Sequence, residues 1–298
     1  MPEMVSLVVI TRNSLRDFWK HKSLWWFAVP VGTLVGFNTV VSQAIQNHIP
    51  KNPELSPLSV LLSDYRLVLI FSGSLLVILC QSAIRGALIT TFVHQGRKFN
   101  GSSPATVDKN SFWHDMIRAS WISVSLEGIY WLLLLGIGAA VIMPVFLAQY
   151  FNPSVTAVIF ELGSLLLLII GVYFYLIKEL SCFYAILGKT GFRSASDLGF
   201  RLFRKNTFST LLFFLYAALL SLIFSLFIEN LFGLSSLPIE QYPSFPSLLS
   251  GILFGLYYIF DQILKTSFFR SIANTKKKYA VEEAFLEASK TPSGISPN

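Results

Sequence analysis

The sequence predicts an all-α integral membrane protein with six membrane-spanning helices, and three observations lead to this fold class. The 298 residues are 53% apolar and only 13% charged, whereas soluble domains are about a quarter charged. Six apolar segments approach the roughly 20 residues that a helix needs to cross a bilayer. Basic residues are concentrated in alternate connecting segments, as the positive-inside rule predicts for a multi-pass protein.

The apolar segments are predicted to be helices because every backbone polar group must be satisfied within a segment that lies in lipid. The predicted spans are residues 24–45, 67–93, 126–148, 154–177, 208–229 and 248–264, and the sixth continues toward residue 272. It contains Gly251 and Gly255 in a G-x-x-x-G pattern, which permits close packing of helices. The first apolar run lacks a following small-residue cleavage site, so we expect a retained span rather than a signal peptide.

Lys and Arg side chains set the predicted direction of the chain through the membrane. Of the 23 basic residues, only Lys51 and Arg66 fall in the segments that would share the outer side. Both termini are therefore predicted to be cytoplasmic, in a bacterial inner membrane. The same distribution indicates that the net charge of +7 reflects the orientation of the chain in the membrane and contact with anionic lipid headgroups. It argues against nucleic-acid binding.

The cytoplasmic segments contain a pattern that recurs three times. The stretches that begin at Ser14, Ser111 and Ser194 each open with a serine near an acid, which is typical of a helix N-cap. Each then carries basic and aromatic residues at helical spacing before a span begins. In the third stretch, apolar residues fall on one helical face and basic residues on another, as in helices that lie at a membrane surface.

The predicted unit is therefore an amphipathic helix, an outward span and an inward span. The three units cover about residues 5–93, 111–187 and 194–272, all within one membrane domain, residues 1–272. Units of the same orientation are related by an axis along the membrane normal. A cytoplasmic tail, residues 273–298, follows, and it is predicted to be helical at first and disordered at its end.

Two stretches carry a resemblance to a known family. They are "KELSCFYAILGKTGFRSASDLGFRLFRKNTFSTLLFF" and the weaker copy "RGALITTFVHQGRKFNGSS…SFWHDMIRASW". Both resemble the inward span, turn, amphipathic helix and next span of a broad family of uncharacterised bacterial six-helix inner-membrane proteins. That family includes the membrane domain that accompanies some glycerophosphodiester phosphodiesterases. The resemblance implies an architecture and not the phosphodiesterase activity, because no phosphodiesterase domain is recognisable in this sequence.

Polar side chains in the inward spans are the candidate functional residues. They are Gln81, Arg85, Lys178, Glu179, Asp261, Gln262 and Lys265. Charges inside a membrane usually pair or line a pathway, so Arg85 is expected to pair with Glu179 if the three units converge. Asp261 is likewise expected to pair with Lys178 or Lys265. In the alternative interpretation these side chains lie at the cytoplasmic interface, where Lys and Arg extend to water.

Two further acids lie in predicted spans. Glu161 is about two turns from the outer end of the fourth span, and a carboxylate there could carry protons or bind a cation. Alternatively, the span begins at Glu161 and places it near the outer headgroups. Glu127 lies at the cytoplasmic start of the third span and is expected at the interface.

The sequence contains no motif that predicts a catalytic residue, a cofactor site or a metal site. The four His residues lack metal-ligand spacing, and both Cys residues lie in apolar runs. The favoured function is non-enzymatic: a scaffold or membrane-homeostasis protein that contacts the bilayer and a membrane or cytoplasmic protein. The alternatives are a transporter or channel with a polar cytoplasmic vestibule, and a membrane enzyme that acts on lipid.

Overall fold

All elements in the described residues are helices. A computed structural model describes residues 6–35, 65–99, 109–149, 153–188, 190–232 and 245–290. The elements are α1 (Leu7–Lys20), a 3₁₀ helix (Lys22–Phe27), α2 (28–35), α3 (Tyr65–Phe99), α4 (Lys109–Gln149), α5 (Pro153–Leu187), α6 (Phe192–Lys205), α7 (Thr207–Phe232) and α8 (Phe245–Lys290). The predicted all-α class is therefore confirmed for this part of the chain.

Four helices within the described ranges are long and apolar enough to cross a membrane. The segments are Ser72–Gln95 in α3, Ser111–Val141 in α4, Glu161–Leu187 in α5 and Thr207–Phe232 in α7. They correspond to the second to fifth predicted spans. The first predicted span extends past residue 35, outside the described residues, and the sixth, in α8, is not among these four. The chain is thus a multi-pass membrane protein by length and composition, and the count of six stays a prediction.

Neighbouring long helices pack antiparallel. Between α7 and α8, Phe213 stacks on Phe268 at one level and Phe224 stacks on Tyr257 further along. In the pairs α3–α4 and α4–α5, contacts likewise join the end of one helix to the start of the next, so these helices also run antiparallel. α6 folds back on the end of α5, and α1 lies against α8. One end of the bundle therefore carries α1, the 3₁₀ helix, α6 and residues 109–121 of α4, and we call it the basic end.

Small residues allow α2 and α8 to cross closely. Gly255 lies against the carbonyl group of Ala28, and Gly251 lies against Gly32, so a Cβ atom at either α8 position would meet backbone atoms of α2. Close backbone approach of this kind is the usual role of a G-x-x-x-G pattern in a membrane helix. The crossing fixes the 3₁₀ helix and α1 beside α8, which positions the basic end.

Three helix starts differ from the prediction. α1 begins at Leu7 and is capped by Ser6, so Ser14 lies inside the helix and is fully buried. The helices of the second and third units likewise begin before their predicted serines, at Lys109 and Phe192. These three predicted N-caps are wrong. In α1 the reason is that the first turns pack against the core, and tertiary packing outweighs a local capping signal.

The junction between amphipathic segment and span differs among the three predicted units. In the first unit the chain leaves α1 at His21 and passes through the 3₁₀ helix. In the second, α4 continues without a break from Lys109 to Gln149. In the third, the chain turns at Asn206, whose N–H group donates to the last turn of α6. α8 runs past residue 272 to Lys290, so it includes the first part of the predicted tail, and the tail as a separate unit stays a prediction. The threefold repeat therefore stays a prediction.

Candidate functional site

Four charged side chains from three helices meet inside the bundle. These residues, which we call the interior charge cluster, are Arg85 on α3, Glu127 on α4, and Lys178 and Glu179 on α5. None of the four is more than 7% exposed. Two are cationic and two are anionic, so the cluster is neutral as a whole. Neutrality matters here because an unpaired ion in a membrane interior is costly.

The charges of the cluster alternate in sign along one chain of contacts. The Arg85 guanidinium donates through Nη1 to Glu179 Oε1. Lys178 Nζ lies 3.5 Å from the same oxygen and donates to Glu127 Oε2 over 2.8 Å. Glu179 is thus held between two cations, and Lys178 is held between two carboxylates. Each inner member has two oppositely charged neighbours, which is the arrangement that best offsets the loss of hydration on burial.

Both oxygens of Glu127 accept hydrogen bonds from within the protein. Ser82 Oγ donates to Oε2 over 3.1 Å, and Trp131 Nε1 donates to Oε1 over 3.1 Å. Together with the bond from Lys178, the Glu127 carboxylate therefore accepts hydrogen bonds from side chains on three helices. These hydrogen bonds satisfy the acceptor capacity of the buried carboxylate from within the protein.

The two cations have further neighbours of different kinds. Lys178 Nζ lies 4.7 Å from the ring centres of both Tyr130 and Tyr175, so aromatic faces replace part of its hydration. Arg85 Nη2 donates to Cys182 Sγ over 3.1 Å. The sulfur atom thereby links the cluster to the buried face of α5.

Asp261 and Lys265 form a second pair, one turn apart on α8. Lys265 Nζ lies 2.7 Å from Asp261 Oδ2, and Gln262 Nε2 donates to the same oxygen over 3.1 Å. The ring of Phe214 on α7 lies 6.0 Å from Lys265 Nζ. Lys265 is also close enough to Glu179 for their charges to interact. This second pair, which we call the α8 pair, is therefore an electrostatic neighbour of the interior charge cluster.

The structure brings together most of the residues that the sequence singled out. Arg85 pairs with Glu179 and Asp261 pairs with Lys265, and both pairings were predicted. Lys178 bonds Glu127 and does not pair with Asp261. Glu127 is buried in the bundle, and it lies well inside α4 because that helix is continuous from position 109. Its expected position at the cytoplasmic interface stays a prediction.

The two remaining candidates lie apart from the interior charge cluster. Gln81 accepts a hydrogen bond from the Tyr258 hydroxyl through its backbone carbonyl, over 3.3 Å. Glu161 is exposed on α5, two turns after the start of that helix at Pro153. Its depth in the bilayer stays a prediction.

Sequence reasoning missed the neutral members of the site, and helical spacing is the signal that could have found them. Ser123, Glu127 and Trp131 are four residues apart on α4, which places them on one helical face. Ser82 lies one turn before Arg85 on α3. Cys182, which contacts Ser123, lies one turn after Lys178 on α5. Three polar stripes that face one another thus build the site.

A cavity of about 830 Å³ adjoins the α8 pair. It lies between α5, α7 and α8, with Val35 of α2 at its side. Among the described residues that line it, Asp261 and Lys265 carry charge and most of the others are apolar. Arg85 and Glu179 do not line it. The volume falls in the range of small-molecule sites, about 300–1,000 Å³.

Comparison with known proteins leaves the chain to be interpreted on its own geometry. No known protein family, characterised protein or solved structure matches it. Within the described ranges, no group of three or more His, Cys, Asp and Glu side chains could hold a metal ion. The site is therefore a neutral, mutually bonded set of charges beside a mostly apolar cavity.

Proposed function

We propose that the protein is a non-enzymatic, multi-pass protein of a bacterial cytoplasmic membrane with a scaffold or membrane-homeostasis role. Its short helices would lie at the cytoplasmic lipid interface and anchor the long helices there. The observation that carries the proposal is the outward face of α1, which is apolar although it does not pack against the bundle.

The outward face of α1 carries an apolar stripe flanked by arginines. Val8, Leu15 and Trp19 are 76%, 49% and 55% exposed. Arg12 and Arg16 are exposed beside them. The opposite face of the helix packs against α8. Apolar and basic side chains on one outward surface are typical of helices whose apolar side enters the headgroup region while the basic side meets lipid phosphates.

α6 presents a comparable surface at the same end of the bundle. Its inner face packs on α5, where Gly199 lies directly against Ser181. On its outer side Phe200, Arg193 and Arg204 fall on one helical face, and all three are exposed. Two helices at the basic end thus offer aromatic and cationic side chains to their surroundings, which supports a contact with anionic headgroups.

We also propose six spans with both termini in the cytoplasm, as in the six-helix family that the sequence resembles. The four helices of sufficient length support this count in part. The antiparallel crossing of α2 with α8, and of α8 with α7, further supports placing these two helices in the same bilayer.

The alternative function, a transporter or channel, requires Arg85, Glu179 and Asp261 to line one hydrated vestibule. Arg85 and Glu179 instead bond each other in the packed interior. Of the three, only Asp261 lines the cavity of about 830 Å³, whose wall is largely apolar. Because the interior charged groups are bonded to one another, the geometry favours a structural role for them over ion conduction.

The position of α1 can be tested with spin labels in nanodiscs. A label at Leu15→Cys should collide with oxygen more than with a water-soluble nickel complex, because that side chain would lie among lipids. A label at Asn13→Cys, on the other side of α1, is the matched control and should show the reverse. Both variants use a Cys80→Ala background, since Cys182 is buried. Equal nickel access at both positions would contradict the interfacial placement.

The role itself can be tested by complementation of cells that lack the protein. We expect these cells to show altered membrane order and increased dye entry, and the wild-type chain to correct both. Leu15→Glu combined with Trp19→Glu should fail to correct them at equal protein level in the membrane, whereas Asn13→Glu should succeed. Full correction by the double variant, or unchanged membranes in the deletion strain, would argue against the scaffold role.

A further inference from the structure

We infer that the cavity between α5, α7 and α8 binds one phospholipid from the surrounding bilayer, with a headgroup that carries a primary ammonium beside its phosphate. The inference rests on the membrane class of the protein and not on its scaffold role. Lipid binding and membrane phenotype are therefore separate measurements, and either proposal can fail alone.

The rim of the cavity indicates where its ligand comes from. Val172 on α5, and Phe208, Leu211 and Leu215 on α7, line the cavity and are also exposed on the outside of the bundle. Leu215, for example, is 68% exposed. These residues lie in candidate membrane-spanning segments. The entrance therefore opens toward acyl chains rather than toward water, and a ligand that enters there comes from the bilayer.

The dimensions of the cavity fit a lipid chain. Its lining on α7 extends from Phe208 to Ser221, which corresponds to about 20 Å along a helix. The hydrocarbon of one leaflet is about 15 Å thick, half of the roughly 30 Å core. The lining is mostly leucine, phenylalanine and other apolar side chains over this length. An acyl chain that enters from one leaflet is thus covered along most of its length.

The α8 pair gives the apolar wall of the cavity a polar patch with unused hydrogen-bonding capacity. An ammonium group has three N–H donors, and Lys265 directs one of them to Asp261 Oδ2. The second oxygen of Asp261, Oδ1, accepts no hydrogen bond from the described residues, because both bonds to this carboxylate go to Oδ2. The cavity wall therefore offers cationic donors and an anionic acceptor side by side.

A phosphoethanolamine headgroup complements both halves of this pair. Its phosphate oxygens accept from Lys265, and its ammonium donates to Asp261 Oδ1. The headgroup is neutral overall, as is the pair, so no net charge is added to the membrane interior. A trimethylated ammonium has no N–H to donate, and a purely anionic headgroup would place its charge against Asp261. The site should therefore prefer phosphatidylethanolamine to phosphatidylcholine and phosphatidylglycerol.

The preference can be measured on the full-length protein by native mass spectrometry. The detergent-solubilised chain would be mixed with equal amounts of phosphatidylethanolamine, phosphatidylcholine and phosphatidylglycerol, and retained lipids would be counted. We expect one tightly retained phosphatidylethanolamine and about a tenfold preference over phosphatidylcholine, the size of effect that one lost hydrogen bond to a charged group produces. Equal retention of the three lipids would overturn the headgroup assignment.

Two variants locate the site, each with a matched control. Ala218→Phe fills the cavity from α7, and it should abolish the tightly retained lipid. Ala140→Phe adds the same ring to the exposed face of α4 and should leave retention unchanged. Retention of the lipid by Ala218→Phe would place binding elsewhere and overturn the inference.

The second variant separates headgroup recognition from folding. Asp261→Asn removes the anionic acceptor and leaves Lys265 as the charged wall group, so the preference should change from phosphatidylethanolamine to phosphatidylglycerol. Asp197→Asn breaks an exposed Asp–Arg pair of the same spacing on α6 and is the control. A merely misfolded protein would lose all lipids alike and would not exchange one preference for another. An unchanged preference in Asp261→Asn would contradict the role of the α8 pair.

Discussion

Glu179 holds two cations inside the bundle, and this makes its charge important for folding. It is 1% exposed, bonds Arg85 and lies beside Lys178. Removal of one ion from a buried pair leaves its partner charged and unpaired, at a cost of about 3–5 kcal/mol. Replacement of both ions by apolar side chains of similar size is often neutral, because the desolvation cost disappears with the pair.

Glu179→Gln is therefore expected to lower the free energy of unfolding by about 3 kcal/mol. Arg85 and Lys178 would then face one formal negative charge, that of Glu127, where the wild-type chain has two. The measurement is reversible chemical unfolding in detergent micelles. The double variant Arg85→Met with Glu179→Leu should recover part of the loss, since it removes one charge of each sign.

Asp197→Asn provides the comparison for this prediction. Asp197 and Arg201 on α6 are 3.0 Å apart and are more than half exposed. Exposed pairs contribute about 0–1 kcal/mol, so this substitution should have a small effect. If Glu179→Gln is no more destabilising than Asp197→Asn, the interior charge cluster is not needed for stability.

His21, at the end of α1, gives the protein a pH dependence outside the membrane spans. Burial lowers the pKa of His21, although Asp17 and Gln95 act in the opposite direction. The folded state therefore favours the neutral ring. Its contribution to stability is complete above the unfolded pKa of about 6.5 and is lost as the pH falls through the lowered folded pKa.

We expect the Tm of the wild-type chain to fall between about pH 7.5 and about pH 5, and to fall less in His21→Gln. Thermal unfolding at several pH values in one detergent measures both slopes. His114→Gln is the control, because His114 is exposed on α4. Equal pH slopes in wild type and His21→Gln would contradict the assignment.

The crossing of α2 and α8 carries a prediction at the scale of an element. Gly255→Leu would press a side chain against the carbonyl group of Ala28. We expect a destabilisation of about 1–3 kcal/mol, the usual cost of overpacking, because two helix backbones would have to separate. Gly136→Leu is the control, since an added Cβ at Gly136 on α4 meets no neighbouring atom. Comparable thermal unfolding of the two variants would show that the crossing tolerates extra volume.

The sequence predicts which helices form, but it does not predict the residue at which each helix begins. Long apolar runs have only one way to satisfy their backbone in lipid, so α3, α4, α5 and α7 follow from hydropathy alone. Helix starts depend on packing that hydropathy does not report. α1 extends to Leu7 because its first turns join the core, and α4 continues without a break through the point where its amphipathic part meets its span.

At the scale of the whole molecule, the topology is open to a direct test. A membrane-impermeant maleimide should label Asn52→Cys and Ser244→Cys from outside, because the distribution of basic residues predicts that the opposite ends of the spans are cytoplasmic. Both positions lie outside the described residues. Ser194→Cys, exposed on α6, should react only after the membrane is permeabilised. The reverse pattern would invert the predicted orientation.

The sequence predicts the parts of the candidate site that depend on pairing of opposite charges. It does not predict the parts that depend on how the helices pack. A lone Arg in a span requires an acid, so Arg85 and Glu179 could be matched across 94 residues of sequence. Glu127 was missed because it lay close to a presumed helix end. The cavity beside the α8 pair was not predicted, because it depends on how far α7 stands from α5. That distance is a property of packing and leaves no periodic signal.

The separation of Arg85 and Glu179 along the chain has a consequence for biosynthesis. The two residues are 94 positions apart, and a ribosome adds about 5–20 residues per second. Roughly 5–20 s therefore pass between the translation of Arg85 and the translation of its partner Glu179. During that interval α3 cannot adopt its final depth without an unpaired charge. We therefore expect α3 to reach its final depth in the membrane only when α5 is inserted. The two helices then complete insertion together, although they are translated at different times.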